Sequence, residues 1–172
     1  LKITYWEIWN EPENHPDWEK NPMWRAPFDE YIRFYGVVAP YLKAKFPHLK
    51  IGGYAACGFY HLTGMPARTD DDRTRFPHYM KCFDDFLGYV RAQGCPLDFF
   101  SYHCYDSVSN AIVQNAFVRK RLDEAGFLRT ELSLNEWLPP ARIGTQAQAA
   151  QIAAMPMPVL PLVGSITVPP AL

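Results

Sequence analysis

The stretch Tyr5-Trp6-Glu7-Ile8-Trp9-Asn10-Glu11-Pro12 decides how the rest of the chain is read. Residues 3–9 are rich in β-branched and aromatic side chains, which suit a pleated, half-buried surface, so they are read as a first strand. Pro12 has no N–H to give to a ladder and ends it. Glu11 is thereby delivered to the strand's C-terminal end. Leu134-Asn135-Glu136-Trp137 repeats the device at the end of a strand over residues 130–137. Two carboxylates carried by separate strands to one rim is the arrangement that glycosidic-bond cleavage needs.

Between these stretches strand-like and helix-like patterns alternate, which argues for β/α units and a parallel sheet. Over residues 28–46 the apolar positions Phe28, Tyr31, Ile32, Tyr35, Val38, Tyr41 and Leu42 keep the three-and-four spacing of an amphipathic helix. Residues 49–53 form a short second strand that enters a long loop, expected to run to about Pro77. Met80, Phe83, Phe86, Leu87 and Val90 then mark a second helix, with Gly94 at its C-terminal cap. Residues 97–105 are a third strand and residues 110–125 a third helix ended by Gly126. Thr145 with Gln148 resembles a capping box that opens a fourth helix. Pro156, Pro158 and Pro161 must break it soon afterwards. The chain divides into residues 1–154, which carry the β/α pattern, and residues 155–172, a proline-rich tail expected to be non-native or disordered. Four β/α units with no closing partner leave both sheet edges open, so the chain is expected to be an interior piece of something larger.

Composition narrows the chemistry. The 172 residues suffice for one domain with a core, 48% of them hydrophobic and 15% aromatic. Lys and Arg number 17 against 18 Asp and Glu, and the net charge of −1 gives no electrostatic reason to bind nucleic acid or an anionic membrane. No run of about 18 apolar residues would span a bilayer. An uncharged substrate suits this balance. Cys57, Cys82, Cys95 and Cys104 lack the close-paired spacing of zinc sites and are few for a disulfide framework, so they are read as free or mostly buried thiols.

Four segments in this order carry a family resemblance: Tyr5-Trp6-Glu7-Ile8-Trp9-Asn10-Glu11-Pro12, Lys50-Ile51-Gly52-Gly53, Asp98-Phe99-Phe100-Ser101-Tyr102-His103-Cys104-Tyr105 and Leu134-Asn135-Glu136-Trp137. Together they resemble family 39 of the glycoside hydrolases, the β-xylosidase and α-L-iduronidase family of retaining enzymes. The resemblance implies an α/β fold that is part of a TIM (β/α)8 barrel, here strands four to seven with their helices. It implies Glu11 as acid/base, Glu136 as nucleophile, a carbohydrate substrate, a covalent glycosyl-enzyme, and no metal or organic cofactor. Asn10 resembles the asparagine that hydrogen-bonds the sugar 2-hydroxyl. Family members more often have threonine where this chain has Asn135, and nothing here matches strands one to three or strand eight.

The two-carboxylate chemistry can be argued from the residues, save which glutamate is which. Strand C-termini in a parallel barrel converge on one rim, so two carboxylates far apart in sequence can face each other. Glu11 must hold its proton, helped by partial burial and by the charge of Glu136. By the two-residue period Ser101, His103 and Tyr105 share a face. Tyr105 is placed to hydrogen-bond Glu136, and His103 to contact substrate hydroxyls or to hold Glu136. Trp137, Trp18 and Trp24 offer flat faces for sugar rings, with helix packing the competing reading. Glu7 shares the face of Glu11 but lies deeper, where a buried ion pair is expected, and Asp70-Asp71-Asp72 is read as a solvated loop. Two alternatives stand beside this reading: a catalytically silent, truncated or sugar-binding remnant, and an endo-acting member of the same clan.

Overall fold

The computed structural model describes residues 3–138, 144–147, 149–150 and 165–166. Four strands alternate with three helices: β1 (Tyr5–Glu7), α1 (Phe28–Lys45), β2 (Lys50–Ala56), α2 (Asp70–Gln93), β3 (Phe99–Cys104), α3 (Val108–Glu124) and β4 (Glu131–Trp137). A two-residue strand β5 (Ser165–Ile166) pairs with β4, so a segment that the sequence reads as patternless tail supplies one sheet position. All neighbours are parallel, in the order β1-β2-β3-β4-β5. Residues 146–147 and 149–150 are helical, and the Ala149 N–H donates to the Thr145 carbonyl where the fourth helix was expected. Gln148 and the rest of the tail lie outside the described residues.

The sheet is curved, and two hydrogen bonds require it. In a flat sheet β1 and β4 would stand about 14 Å apart, three strand spacings of about 4.8 Å each. Yet Asn135 Nδ2 on β4 donates to Glu7 Oε1 on β1 at 2.9 Å, and the Tyr5 hydroxyl donates to Glu131 Oε2 at 2.9 Å. The sheet therefore bends toward these side chains as an arc of a barrel wall. Its concave side is stacked in layers: Tyr5, Lys50 and Glu131 at the bottom, then Glu7, Ser101 and Asn135, and above them the strand C-termini. Its convex side packs on the helices through one aromatic-rich core that includes Tyr31, Tyr35, Tyr54, Phe83, Phe86 and Phe100. Two of these tyrosines keep their hydroxyls paired while buried, Tyr31 to the Ile8 carbonyl at 2.7 Å and Tyr35 to the Pro96 carbonyl at 2.8 Å.

The longest departure from the sequence reading is α2. The acidic run expected as solvated loop is the first helical turn, and the helix passes through Pro77. Thr69 Oγ1 accepts the Asp72 N–H while the Asp72 carboxylate accepts the Thr69 N–H, a reciprocal cap. Three aspartates in the first turn also suit the positive end of the helix dipole. Gly94, in the left-handed conformation, ends α2 as the sequence indicates. All four cysteines are free and buried. Among the described residues no helix is long and apolar enough to cross a membrane.

Candidate active site

Four side chains meet at the C-terminal end of the sheet. Glu11 lies four residues past β1, His103 near the end of β3, Tyr105 one residue beyond β3, and Glu136 in the last turn of the β4 ladder. His103 is wholly buried, and its Nδ1 is 2.7 Å from Glu11 Oε1 and 3.6 Å from Glu136 Oε2. The Tyr105 hydroxyl donates to Glu136 Oε2 at 2.6 Å. One oxygen of each carboxylate and the imidazole nitrogen all lie within 4.8 Å of one another. A cavity of about 630 Å³ opens over them, with Asn10, Glu11, Tyr105, Glu136, Arg75 and Met65 in its wall.

Local backbone devices aim these groups. Trp9 and Glu11 sit in the left-handed region, with φ of 75° and 47°, so the extended backbone of β1 gives way to a turn that swings Glu11 over the rim. Parity from Glu7 therefore does not carry to Glu11. On β4 the pairing with β3 slips: Tyr102 faces Leu134 but His103 faces Glu136, leaving Asn135 as the extra residue of a bulge. The bulge lets consecutive residues both address the interior, Asn135 toward Glu7 and Glu136 toward the cavity. It also sends Trp137 to the opposite side, where the ring is wholly buried in the helix-facing core. Trp137 thus has no open face for a sugar ring, contrary to the expectation. Trp24 likewise packs on Tyr31 and Trp9, whereas Trp18 is exposed.

The electrostatics also differ from the sequence reading. Burial pushes the Glu11 carboxyl up, but the His103 hydrogen bond and charge, followed by the Asn14 hydrogen bond, bring it below its ordinary value. His103 Nε2 is buried without a partner among the described residues. Its Nδ1 is the nitrogen that engages Glu11 Oε1. His103 therefore holds Glu11 more closely than Glu136. Glu7 is raised, chiefly by burial, and its partner is the Asn135 amide and not the cation that was expected. Burial and the hydrogen bond to Glu136 raise the Tyr105 phenol, so it stays a donor at any ordinary pH.

Three residues at the site escaped the sequence reading. Asn14 donates Nδ2 to Glu11 Oε2 at 2.6 Å, and its own N–H closes a turn on the Glu11 carbonyl at 3.1 Å. An asparagine three residues after a turn-starting glutamate was a usable signal. Glu13, only 1% exposed, accepts the Cys57 N–H at 2.7 Å. Arg75, on α2, bonds to Asn14 across 61 positions of sequence, and nothing local announces it.

A parallel β/α arc with a cavity at its C-terminal rim is part of a TIM barrel. The profile of the glycosyl hydrolases family 39 matches residues 2–133, and the chain belongs to that family. The match ends three positions before Glu136. A β-xylosidase of Geobacillus stearothermophilus is 31% identical over 107 residues, which are 62% of this chain and 16% of that protein. A glucosidase from Croceicoccus marinus superposes with a TM-score of 0.73 at 23% identity, covering 96% of this chain and 32% of the other. A family 39 β-xylosidase from Caulobacter crescentus gives 0.67 at 22% identity over 95% and 32% of the two chains. The chain thus spans a third or less of these relatives and is part of a TIM barrel.

Proposed function

We propose that this chain carries the catalytic pair of a retaining glycosidase that hydrolyses O-glycosidic bonds such as β-xylosides. Glu136 attacks the anomeric carbon, protonated Glu11 donates to the departing oxygen, and the ionised Glu11 then activates water against the glycosyl-enzyme. The observation that carries this reading is the approach of the two carboxylates, one oxygen of each within 4.8 Å. Retaining enzymes keep their carboxyls about 5–5.5 Å apart, whereas inverting ones need roughly 6.5–9.5 Å to admit a water. Tyr105 donates to Glu136 and keeps it aimed, and Asn10 in the cavity wall is the donor toward the sugar 2-hydroxyl. His103 and Asn14 favour the ionised form of Glu11, so a bound sugar must desolvate that carboxyl to restore the acid form.

The test is to incubate the chain with an activated 2-deoxy-2-fluoro-β-xyloside and map the adduct by peptide mass spectrometry. A glycosyl ester on Glu136, absent from Glu136→Gly, is expected. An adduct on another carboxylate would overturn the assignment. The second reading, a sugar-binding chain without turnover, is favoured by the ionised state of Glu11. It requires no adduct at all together with binding of xylo-oligosaccharides.

A further inference from the structure

The hydrogen bonds around Asn14 run in one direction only. Arg75 Nη2 is 3.0 Å from Asn14 Oδ1, and Arg75 Nε is 2.8 Å from the Asn14 carbonyl, which also accepts the Tyr79 hydroxyl at 3.1 Å. A guanidinium has donors and no acceptor, so the amide oxygen of Asn14 must face Arg75. The amide NH2 is then left facing Glu11 Oε2 at 2.6 Å, and an NH2 can only donate. Asn14 cannot flip without setting its NH2 against the Arg75 donors and its oxygen against a carboxylate. With His103 on Oε1 and Asn14 on Oε2, the carboxyl is held at both oxygens and its plane is fixed.

We propose that Arg75 is a positioning residue for Glu11, acting through Asn14 to hold the carboxyl in one orientation and to favour its ionised form. The inference deepens the acid/base reading of Glu11 and rests on it. Arg75 stands in the second turn of α2, whose reciprocal cap uses Asp72, and Asp72 Oδ1 lies 4.0 Å from Arg75 Nη1. The helix after β2 is thereby tied to the carboxylate that follows β1. Arg75 also contributes a favourable charge to the ionised Glu11.

Other groups bear on Glu11 and must be held constant in the test. From β3, the residue just after it and β4 these are His103, Tyr105 and Glu136, and from its own loop Glu13. From α2 they are Asp72 and Tyr79, and from the end of β2 Cys57.

The experiment reads the Glu11 carboxyl directly, by the pH dependence of its 13Cδ shift in glutamate-labelled chain, and needs no turnover. The wild type is compared with Arg75→Met, Arg75→Lys, Asn14→Ala and the Asn14→Ala/Arg75→Met double variant. Arg75→Met and Asn14→Ala should each raise the Glu11 midpoint by about one pH unit, and the double variant should move no further than the larger single change. Arg75→Lys should recover only part of the shift, because one ammonium cannot hold both Asn14 oxygens as a guanidinium does. An unmoved midpoint in Arg75→Met, with only the melting temperature lowered, would reduce Arg75 to a structural role and overturn the proposal. Additive shifts in the double variant would overturn the route through Asn14. Glycosyl trapping at Glu136 is independent of both, so failure of the glycosidase reading would show there and not in this titration.

Discussion

Glu13 is buried, with Oε1 on the Cys57 N–H and Oε2 without a partner among the described residues. Burial is the leading cause that pushes its carboxyl from 4.5 up to about 8. The folded chain then keeps a proton that the unfolded chain has released, so stability must fall as pH rises through that window. The contribution is fully present below 4.5 and lost by the time pH has passed about 8. Each pH unit inside the window costs up to about 1.4 kcal/mol. Glu13→Gln keeps an acceptor for Cys57 and cannot ionise. Thermal unfolding against pH should show the wild type losing stability between these limits and the variant losing much less, with Glu7 retaining a smaller slope of the same sign. Parallel curves would mean that Glu13 is ionised in the folded chain. Neither role was legible from residue type, since a glutamate one position past Pro12 reads as an ordinary surface acid until Cys57 closes over it.

At the scale of elements, α2 shows a cap overruling a breaker. Pro77 removes one helical hydrogen bond, which is why the sequence reading placed the helix start after it. Thr69 and Asp72 start it seven residues earlier, and Arg75 depends on those two extra turns for its place beside Asn14. Thr69→Ala should cost about 1 kcal/mol in chemical unfolding. Amide exchange in the first two turns of α2 should accelerate while the later turns, buried through Phe83, Phe86 and Val90, keep their protection. Equal acceleration throughout would mean that α2 opens as a unit and that the cap is not a local device. By contrast α1, β3 and β4 were legible within a few residues, because their apolar spacing and their helix-facing burial coincide.

For the whole molecule, the curvature that brings β1 to β4 is fastened inside by Glu7 and Asn135. Removing the amide leaves a buried carboxyl with one fewer donor, at a cost of about 1–3 kcal/mol. Asn135→Ala should therefore lower the urea midpoint without changing the slope, and an unshifted midpoint would show that Ser101 satisfies Glu7 alone. By itself the sequence determined the β/α order, the parallel sheet and the delivery of Glu11 and Glu136 to strand ends, because periodicity, turn residues and strand propensity act over a few neighbouring positions. Only the tertiary structure decided the rest. The bulge at Asn135 turned Glu136 to the cavity and buried Trp137, and the arc of the sheet set Asn135 on Glu7. Loop closure and helix packing carried Arg75 across 61 positions to Asn14, a contact that no local pattern encodes because its energy exists only once the chain has closed.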